Sequence, residues 1–309
     1  MKRLSILVKD ETATLEAVVL GIATDFGGTP KLEDAYDPKS KEHIKAGTFP
    51  VEKDVLVEMA AFEAVFKKYN IEVYRPENIN NYNQIFSRDI AFVIDDKFIV
   101  PNILKDRAKE FEAISPIVNQ IDENAIVTMP KGTRVEGGDV MPWEDCIFIG
   151  VSNDADFQKY TCARTNYEGV AFLQKTFPDR TVVSFELNKS DVEPRDNALH
   201  LDCCFQPIGK NQAVIYPGGF KDVDDVQFLK NYFGEENIIE ITRDEMYSMN
   251  SNLFSISPEV IVSEKGFTRL NEELRRRGFI VEEIPYAEIA KMEGLLRCST
   301  LPLRRKHND

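Results

Sequence analysis

The chain has 309 residues with an even composition and no Ser/Gly-rich or Pro-rich linker, so we expect a single domain over residues 1–309. Its 43% hydrophobic residues suffice for a large core, but the longest apolar runs are too short to span a membrane, which argues against a membrane protein. The net charge of −14 argues against a nucleic-acid partner or an anionic membrane surface and favours a cationic small molecule as ligand.

The N-terminal segment and the cysteines bear on the compartment. Asp10 and Glu11 interrupt the N-terminus before an apolar stretch of signal-peptide length develops, so export is not expected. The five cysteines include no CxxC pair, which fits a reducing compartment without a disulfide or zinc framework. We therefore expect a cytoplasmic protein, and the sequence leaves open whether it forms a homo-oligomer.

One order of elements returns about five times along the chain: two apolar runs joined by a polar turn, an amphipathic helix, and a single strand. The paired runs are SILV (5–8) with AVVLGIA (17–23), AFVIDDKFIV (91–100), DVMPWEDCIFIG (139–150), CCFQPIGKNQAVIY (203–216) and LFSISPEVIV (253–262). The single strands lie at 71–75, 125–129, 181–187, 238–242 and 281–285. This ββαβ repeat predicts an α/β fold of about five similar units.

A doubly wound α/β sheet is the ordinary alternative, because it also alternates strands and helices. That fold repeats βαβ without a hairpin in every unit and places a Gly-rich turn after its first strand. The chain has no such turn, and it has neither GxGxxG in that context nor GxxxxGK[ST]. Nucleotide binding is therefore not among the leading hypotheses.

Polar residues stand just ahead of the paired runs in four units and again near the C-terminus. They are Asp89, Glu136 with Asp139, His200 with Asp202, Asn250 with Asn252, and Cys298. Taken singly, each has a structural explanation, as a turn former, a hydrogen-bonded histidine or an inert core thiol. Their shared position in the repeat favours another interpretation, because equivalent positions of units around one axis converge. The sequence thus predicts one site containing carboxylates, an imidazole and a thiol.

These residues carry a resemblance to a known superfamily. The matching segments are SRD (87–89), KDRAKEFEAI (105–114), EGGDV (136–140), GVS (150–152), ARTN (163–166), HLD (200–202) and EIAKMEGLLRCSTLPLRR (288–305). Their order and content resemble the guanidine-modifying enzymes of the pentein fold, which include arginine deiminases, dimethylarginine dimethylaminohydrolases and amidinotransferases. The resemblance implies a fivefold pseudosymmetric α/β propeller of ββαβ units, in agreement with the repeat.

The resemblance also implies catalytic roles. Cys298 is implied as the nucleophile and His200 as the general acid and base, while Asp89 and Glu136 grip the guanidinium nitrogens. A thiolate attacks the guanidinium carbon far better than water does and splits the reaction into two easier steps. Paired carboxylates match the N–H donors of a planar cation. Asp202 is implied as a residue that orients His200 or touches the substrate.

Three further residues are expected to bind substrate. Arg107 and Arg164 match arginines that bind a substrate carboxylate in related enzymes, and Asp139 belongs to the predicted cluster. The chain departs from the family at Glu293, which stands where a glycine pair is usual, and at 153–163, an insertion ahead of Arg164. We expect no cofactor and no metal, because His200, Cys203 and Cys204 lack the spacing of a structural zinc site.

Three functions remain open from the sequence. In the first, water resolves the covalent intermediate and gives a ureido product such as citrulline with ammonia or an alkylamine. In the second, an amine accepts the amidino group. The third is a guanidine-binding protein without turnover. We favour hydrolysis, because the closing segment resembles the hydrolases more than the transferases and all the catalytic residue types are present.

Overall fold

The computed structural model describes residues 3–307. The strands are β1 (Leu15–Leu20), β2 (Glu72–Tyr74), β3 (Phe92–Ile94), β4 (Lys97–Val100), β5 (Ile126–Thr128), β6 (Val140–Trp143), β7 (Cys146–Val151), β8 (Thr181–Glu186), β9 (Phe205–Ile208), β10 (Gln212–Ile215), β11 (Ile238–Glu240), β12 (Phe254–Ser257), β13 (Val260–Glu264), β14 (Ile280–Ile284) and β15 (Thr300–Arg305). The helices are α1 (Pro38–Ala46), α2 (Glu52–Lys68), α3 (Ala108–Ala113), α4 (Ser115–Val118), α5 (Asp154–Lys159), α6 (Tyr167–Thr176), α7 (Val223–Phe233), α8 (Arg243–Tyr247) and α9 (Thr268–Arg276). Over residues 3–307, no helix has the length and apolar character that crossing a membrane requires.

The strands form five three-stranded sheets of one plan. Their orders are β15-β1-β2, β3-β4-β5, β6-β7-β8, β9-β10-β11 and β12-β13-β14. In each sheet the central strand pairs antiparallel with the first strand named and parallel with the last. A parallel pair needs a crossover, and a helical segment supplies it in every sheet. The prediction of an α/β fold with five similar units is therefore confirmed as five three-stranded sheets, of which four are ββαβ in chain order.

The first sheet differs from the prediction. We expected 5–8 to pair with 17–23 in a hairpin, but the antiparallel partner of β1 is β15, at the other end of the chain. Leu7 and Val8 form only isolated bridges, to Arg304 and to Asp95. The expected hairpin was wrong because local alternation identifies strands but carries no information about a partner so distant in sequence.

Helix α2 shows how the predicted periodicity builds the core. Its buried face includes Val55, Met59, Phe62 and Phe66, as their spacing of three or four residues predicts. The rings of Phe62 and Phe66 both meet the ring of Phe254 edge to face, with centroids 5.8 Å apart. The largest hydrophobic cluster therefore joins β1 of the first sheet to β12 of the fifth.

Short turns precede the first strands of several sheets and carry the predicted polar residues. A 3₁₀ turn at Gly137–Asp139 leads into β6, and another at Leu201–Cys203 leads into β9. The turn before β15 contains Cys298, whose carbonyl accepts a 2.9 Å hydrogen bond from the backbone N–H of Arg88, just ahead of β3. Residues from separate sheets are thereby brought to one place.

Candidate active site

A cavity of about 260 Å³ lies where these turns meet. Its lining includes Asp89, Glu136, His200 and Cys298, which the sequence placed in one site. None of the four side chains is more than one-tenth exposed. A sulfur, an imidazole and two carboxylates, each from a different part of the chain, thus border one cavity.

Asn252 holds Cys298 at both its backbone and its side chain. The Asn252 Oδ1 accepts from the backbone N–H of Cys298 at 3.2 Å, and its Nδ2 donates to Sγ at 3.2 Å. The thiol is 3.6 Å from Oδ2 of Asp202, to which it donates. Burial, then the charges of Asp202 and Asp89, raise the pKa of the Cys298 thiol well above its usual range. In this state residue 298 is a neutral thiol.

His200 lies between two carboxylates. Its Nε2 is 2.8 Å from Oε2 of Glu136, and its Nδ1 is 3.8 Å from Oδ1 of Asp89. Burial, the largest single influence, lowers the pKa of His200, but Asp89, Asp139 and Glu136 outweigh it and raise the pKa to about 9. Burial likewise acts to raise the pKa of Glu136, but His200 and Arg164 lower it to about 2. The pair is therefore an imidazolium and a carboxylate at neutral pH.

The raised pKa of His200 predicts a pH-dependent stability. The folded protein holds this proton up to pH of about 9, whereas the unfolded chain loses it near 6.5. The stabilisation is therefore complete below about pH 6.5 and is lost as pH rises through 9. We expect the free energy of unfolding to fall by an amount on the order of 3 kcal/mol over this range through His200 alone.

Urea unfolding at several pH values measures this effect as a difference between wild type and His200→Asn. The curves of unfolding free energy against pH for the two proteins should converge as the pH rises, because the variant lacks the group that titrates. Parallel curves from pH 6 to 9.5 would contradict the assignment of a tightly held proton to His200.

Arg107 and Arg164 both line the cavity, but each is paired with protein groups. Arg107 forms a two-pronged pair with Glu110, at 2.7 and 2.9 Å, and its Nη1 is 2.9 Å from Oδ2 of Asp89. Arg164 Nε is 3.4 Å from Oε2 of Glu136. Each arginine thus neutralises one carboxylate of the site, so a substrate carboxylate would have to share it. Oδ1 of Asp89 is a buried oxygen without a hydrogen-bond partner among residues 3–307.

Asp139 and Asp202 lie outside the lining of the cavity. Asp139 accepts from the backbone N–H of Leu201 at 2.9 Å and from the hydroxyl of Thr165 at 2.6 Å. Asp202 accepts from Arg297 Nη1 at 2.9 Å and does not hydrogen-bond to His200. Arg297 is fully buried in this pair and in a second one with Glu11. Their contacts favour roles in holding the site together over direct contact with a substrate.

The glycine pair of the EGGDV segment packs against protein atoms. A methyl group added at Gly138 would lie 2.7 Å from Cγ and Nδ1 of His200, and one at Gly137 would overlap the carbonyl oxygen of Arg88. Only glycine permits this close approach at both positions, and the groups that approach are the imidazole and a neighbouring turn.

Several residues of the site escaped the sequence analysis. Glu110 follows Arg107 by three residues, a spacing that places both on one face of a helix. The segment KDRAKE (105–110) therefore predicts the ion pair between them. Tyr36 and the segment around it line the cavity, and the Tyr36 hydroxyl donates to Asp106 at 2.7 Å, yet no motif marks them. The insertion at 153–163 contains α5, and the carbonyl of Thr161 at its end accepts from Arg164 at 2.5 Å. The insertion therefore anchors this arginine.

Asp89, Glu136 and His200 could together offer metal ligands, because one ligand atom of each lies within 4.8 Å of the others. Metal binding would require His200 to be neutral and free of its contact to Glu136. It would also bring a second cation beside Arg107 and Arg164, which already pair with the two carboxylates. These charges suit a singly charged organic cation better than a metal, and the absence of a metal stays a prediction.

One family model matches most of the chain. The family model described as N,N dimethylarginine dimethylhydrolase, eukaryotic, matches residues 34–305. The uncharacterized protein YkgA of Bacillus subtilis strain 168 is 30% identical to this chain over 241 residues. The aligned region covers 77% of this chain and 76% of YkgA.

Solved structures of two kinds share the fold. One is the N-terminal domain of the cyanobacterial arginine dihydrolase ArgZ, solved with a covalently bound reaction intermediate. Its TM-score is 0.77 at 18% sequence identity, and the match covers 94% of this chain and 98% of the ArgZ chain. The inosamine-phosphate amidinotransferase StrB1 of Streptomyces griseus has a TM-score of 0.75 at 16% identity, covering 99% and 98%. At these identities the likeness shows the fold alone, and it includes both a hydrolase and a transferase.

Proposed function

Because the chain belongs to the N,N-dimethylarginine dimethylhydrolase family, within the superfamily of arginine-modifying hydrolases and amidinotransferases, we propose that it hydrolyses the guanidinium group of arginine or an N-substituted arginine. The reaction proceeds through a covalent intermediate on Cys298. We also propose that the five sheets are the blades of a fivefold propeller, an arrangement that accounts for the convergence of equivalent turns on one cavity.

The observation that carries the proposal is the set of groups bordering the cavity. A thiol, an imidazolium and two buried carboxylates meet there, and one carboxylate oxygen, Oδ1 of Asp89, has no partner in the described part of the chain. An unpaired buried carboxylate oxygen is costly, and an N–H donor of a planar cation satisfies it. A guanidinium supplies such donors next to an electrophilic carbon, within reach of a sulfur nucleophile.

Substrate binding prepares the nucleophile. In the protein without substrate, burial and the charges of Asp202 and Asp89 disfavour the thiolate form of Cys298. A bound guanidinium brings a positive charge beside Sγ and pairs with the free oxygen Oδ1 of Asp89, so both influences shift the equilibrium towards the thiolate. The proton leaves to solvent as the substrate enters, and the thiolate is formed only where there is a carbon to attack.

The first chemical step forms the C–S bond. The thiolate adds its electron pair to the guanidinium carbon, and a tetrahedral adduct results. His200, protonated at neutral pH, donates its proton to the departing nitrogen as the C–N bond breaks. Ammonia or an alkylamine leaves, and a thiouronium remains on Cys298. The neighbouring Glu136 stabilises the imidazolium before transfer and keeps its ring in place at 2.8 Å.

The second step hydrolyses the thiouronium and regenerates the free enzyme. His200 is now neutral and takes a proton from water as the water oxygen attacks the same carbon. The C–S bond breaks with its electron pair on sulfur, the remaining hydroxyl proton passes through solvent to the sulfur and restores the Cys298 thiol, and the carbon keeps the oxygen as a ureido group. The product is of the citrulline type. No cofactor enters either step, because protons and electron pairs balance among substrate, water, Cys298 and His200.

Amidino transfer differs only in the second nucleophile. StrB1 shares the fold, but the family model that matches most of this chain is that of a hydrolase, which favours water over an amine acceptor. A binding role without turnover has the least support, because the thiol and the imidazole both border the cavity.

A product assay separates the three functions. Purified protein is incubated with arginine, methylated arginines or agmatine, with and without glycine, and citrulline-type product, ammonia, alkylamine and amidinated glycine are measured. We expect ureido product and an equal amount of ammonia or amine, independent of glycine. Amidinated glycine would establish transfer instead. No product from any guanidine, with Cys298 also unlabelled by an amidine-based alkylating reagent, would favour binding alone.

A further inference from the structure

The backbone around His200 is held from one side by a buried lysine that no sequence motif marked. Lys189 is 8% exposed, and its Nζ donates to the carbonyl oxygens of Ala198 at 2.7 Å and Leu199 at 2.8 Å. These are the two residues directly before His200. Hydrogen bonds from a charged donor to carbonyls in a buried place are stronger than neutral ones, so they restrain this segment firmly.

A buried carboxylate holds the other side. Asp139 Oδ1 accepts from the backbone N–H of Leu201 at 2.9 Å, directly after His200. Asp139 Oδ2 accepts from the hydroxyl of Thr165 at 2.6 Å, and that hydroxyl accepts from the backbone N–H of Glu136 at 3.3 Å. One carboxylate therefore connects the backbones of both members of the pair formed by His200 and Glu136.

The space around this connection is tight. A methyl group added at Gly150 would overlap Oδ1 of Asp139 and lie 3.0 Å from Cβ of Leu201. On the opposite side, Gly138 leaves just enough room for the imidazole. The restraint is therefore made of charged hydrogen bonds and close packing together.

We propose that Lys189 and Asp139 are positioning residues that fix residues 198–201 from both sides and so keep His200 in hydrogen-bond contact with Glu136. Lys189 does not line the cavity and is not within ion-pair distance of Asp139, so its direct contacts to this segment are the two backbone carbonyls. Its charge also lowers the pKa of Asp139 against the effect of burial, so Lys189 supports the carboxylate on the other side as well. The catalytic meaning of this restraint rests on the proposed function, whereas the restraint itself does not.

Lys189→Met gives a test in which the sign of the effect is decisive. Loss of a nearby positive charge, by itself, raises the pKa of His200, because the imidazolium is then repelled less. Loss of the restraint lengthens the contact to Glu136 and lowers the pKa. The charged groups that act on the imidazole or on its partner Glu136 are Asp89, Asp139, Glu136, Arg107 and Arg164, and Lys189 acts on Asp139.

The measurement is an NMR titration of the histidine side chains, which is feasible because the chain has three histidines. His200→Asn assigns the signal. Because Lys189 also lowers the pKa of Asp139, the comparison is made in the Asp139→Asn background, where residue 139 has no charge to lose. We expect the pKa of His200 in Lys189→Met with Asp139→Asn to fall by roughly one unit from its value in Asp139→Asn alone. We also expect kcat to fall by about 10- to 100-fold with KM within about threefold, since a misplaced general acid affects the chemical step more than binding. A higher or unchanged pKa overturns the proposal.

Controls separate positioning from general destabilisation. Lys39 is also a buried lysine, and its Nζ donates to the backbone carbonyl of Tyr247. Lys39→Met removes this hydrogen bond and should leave the pKa of His200 unchanged. Asp139→Asn keeps an acceptor for the N–H of Leu201, so its kcat should exceed that of Asp139→Ala by at least about tenfold. Equal losses in both Asp139 variants overturn the role given to this residue. The titration needs no substrate, so it stands even if no guanidine is hydrolysed.

Discussion

Cys298→Ala is expected to lower kcat by at least about 10⁴-fold, because the variant has no atom that can form the covalent intermediate. The side chain is buried and small, so the fold should tolerate the change, and substrate should still bind to Asp89 and Glu136. Steady-state kinetics on the substrate identified by the product assay measure the loss. Calorimetry with the same substrate should show binding of similar affinity.

Covalent trapping makes the test specific. Rapid acid quenching of wild-type enzyme during turnover should yield protein with the mass of the substrate, less the departing ammonia or alkylamine, added at Cys298 and located by peptide mass spectrometry. An adduct with the mass of an amidino group alone would indicate amidino transfer instead. Cys146→Ala is the matched control, since Cys146 is a free thiol that does not line the cavity. It should retain wild-type kcat and the adduct. Substantial turnover by Cys298→Ala would rule out covalent catalysis through this residue.

His200→Asn is expected to reduce kcat by about 10² to 10⁴-fold, the usual contribution of a general acid and base. The loss should fall on both chemical steps, because the same imidazole protonates the departing nitrogen and later activates water. An isothiourea analogue of the substrate separates the steps, since its thiolate leaving group departs without a proton. With this analogue the variant should release about one equivalent of thiol rapidly and then stall as the thiouronium.

Stopped-flow detection of the released thiol measures the burst. His43→Asn is the control, because His43 is bonded to Thr48 and to Tyr247 and does not border the cavity. It should turn over both substrates as wild type does. A His200→Asn variant that releases no thiol from the analogue would show that His200 has another part in the first step, and full multiple turnover would remove it from the mechanism.

The phase of the repeat predicted where the site lies. Asp89, Glu136 and His200 each stand ahead of a predicted strand pair, and turns from different sheets bring them to one cavity with Cys298, which precedes β15 near the C-terminus. The argument worked because the position of a residue within a repeated unit is a local property, which turn signals and alternating apolar residues reveal. Their catalytic roles stay predictions until the variants are measured.

The partners of the site residues could not be predicted in the same way. Arg107 and Arg164 were expected to face a substrate carboxylate, yet they pair with Asp89 and Glu136. Lys189 has no motif at all, because its two acceptors are backbone carbonyls, and every residue has one. The partner of β1 likewise was not recognised, since it lies near the opposite end of the chain.

By itself, the sequence determined the five-unit α/β plan, the family, and the types of side chain that meet in the cavity. Apolar spacing, turn residues and short motifs are all properties of residues that lie close together in the chain. Only the tertiary structure decided which charges pair, which proton is held at His200, and what restrains that residue. Those properties depend on distances of a few ångströms between segments far apart in the chain, and electrostatic and hydrogen-bond energies change steeply over such distances.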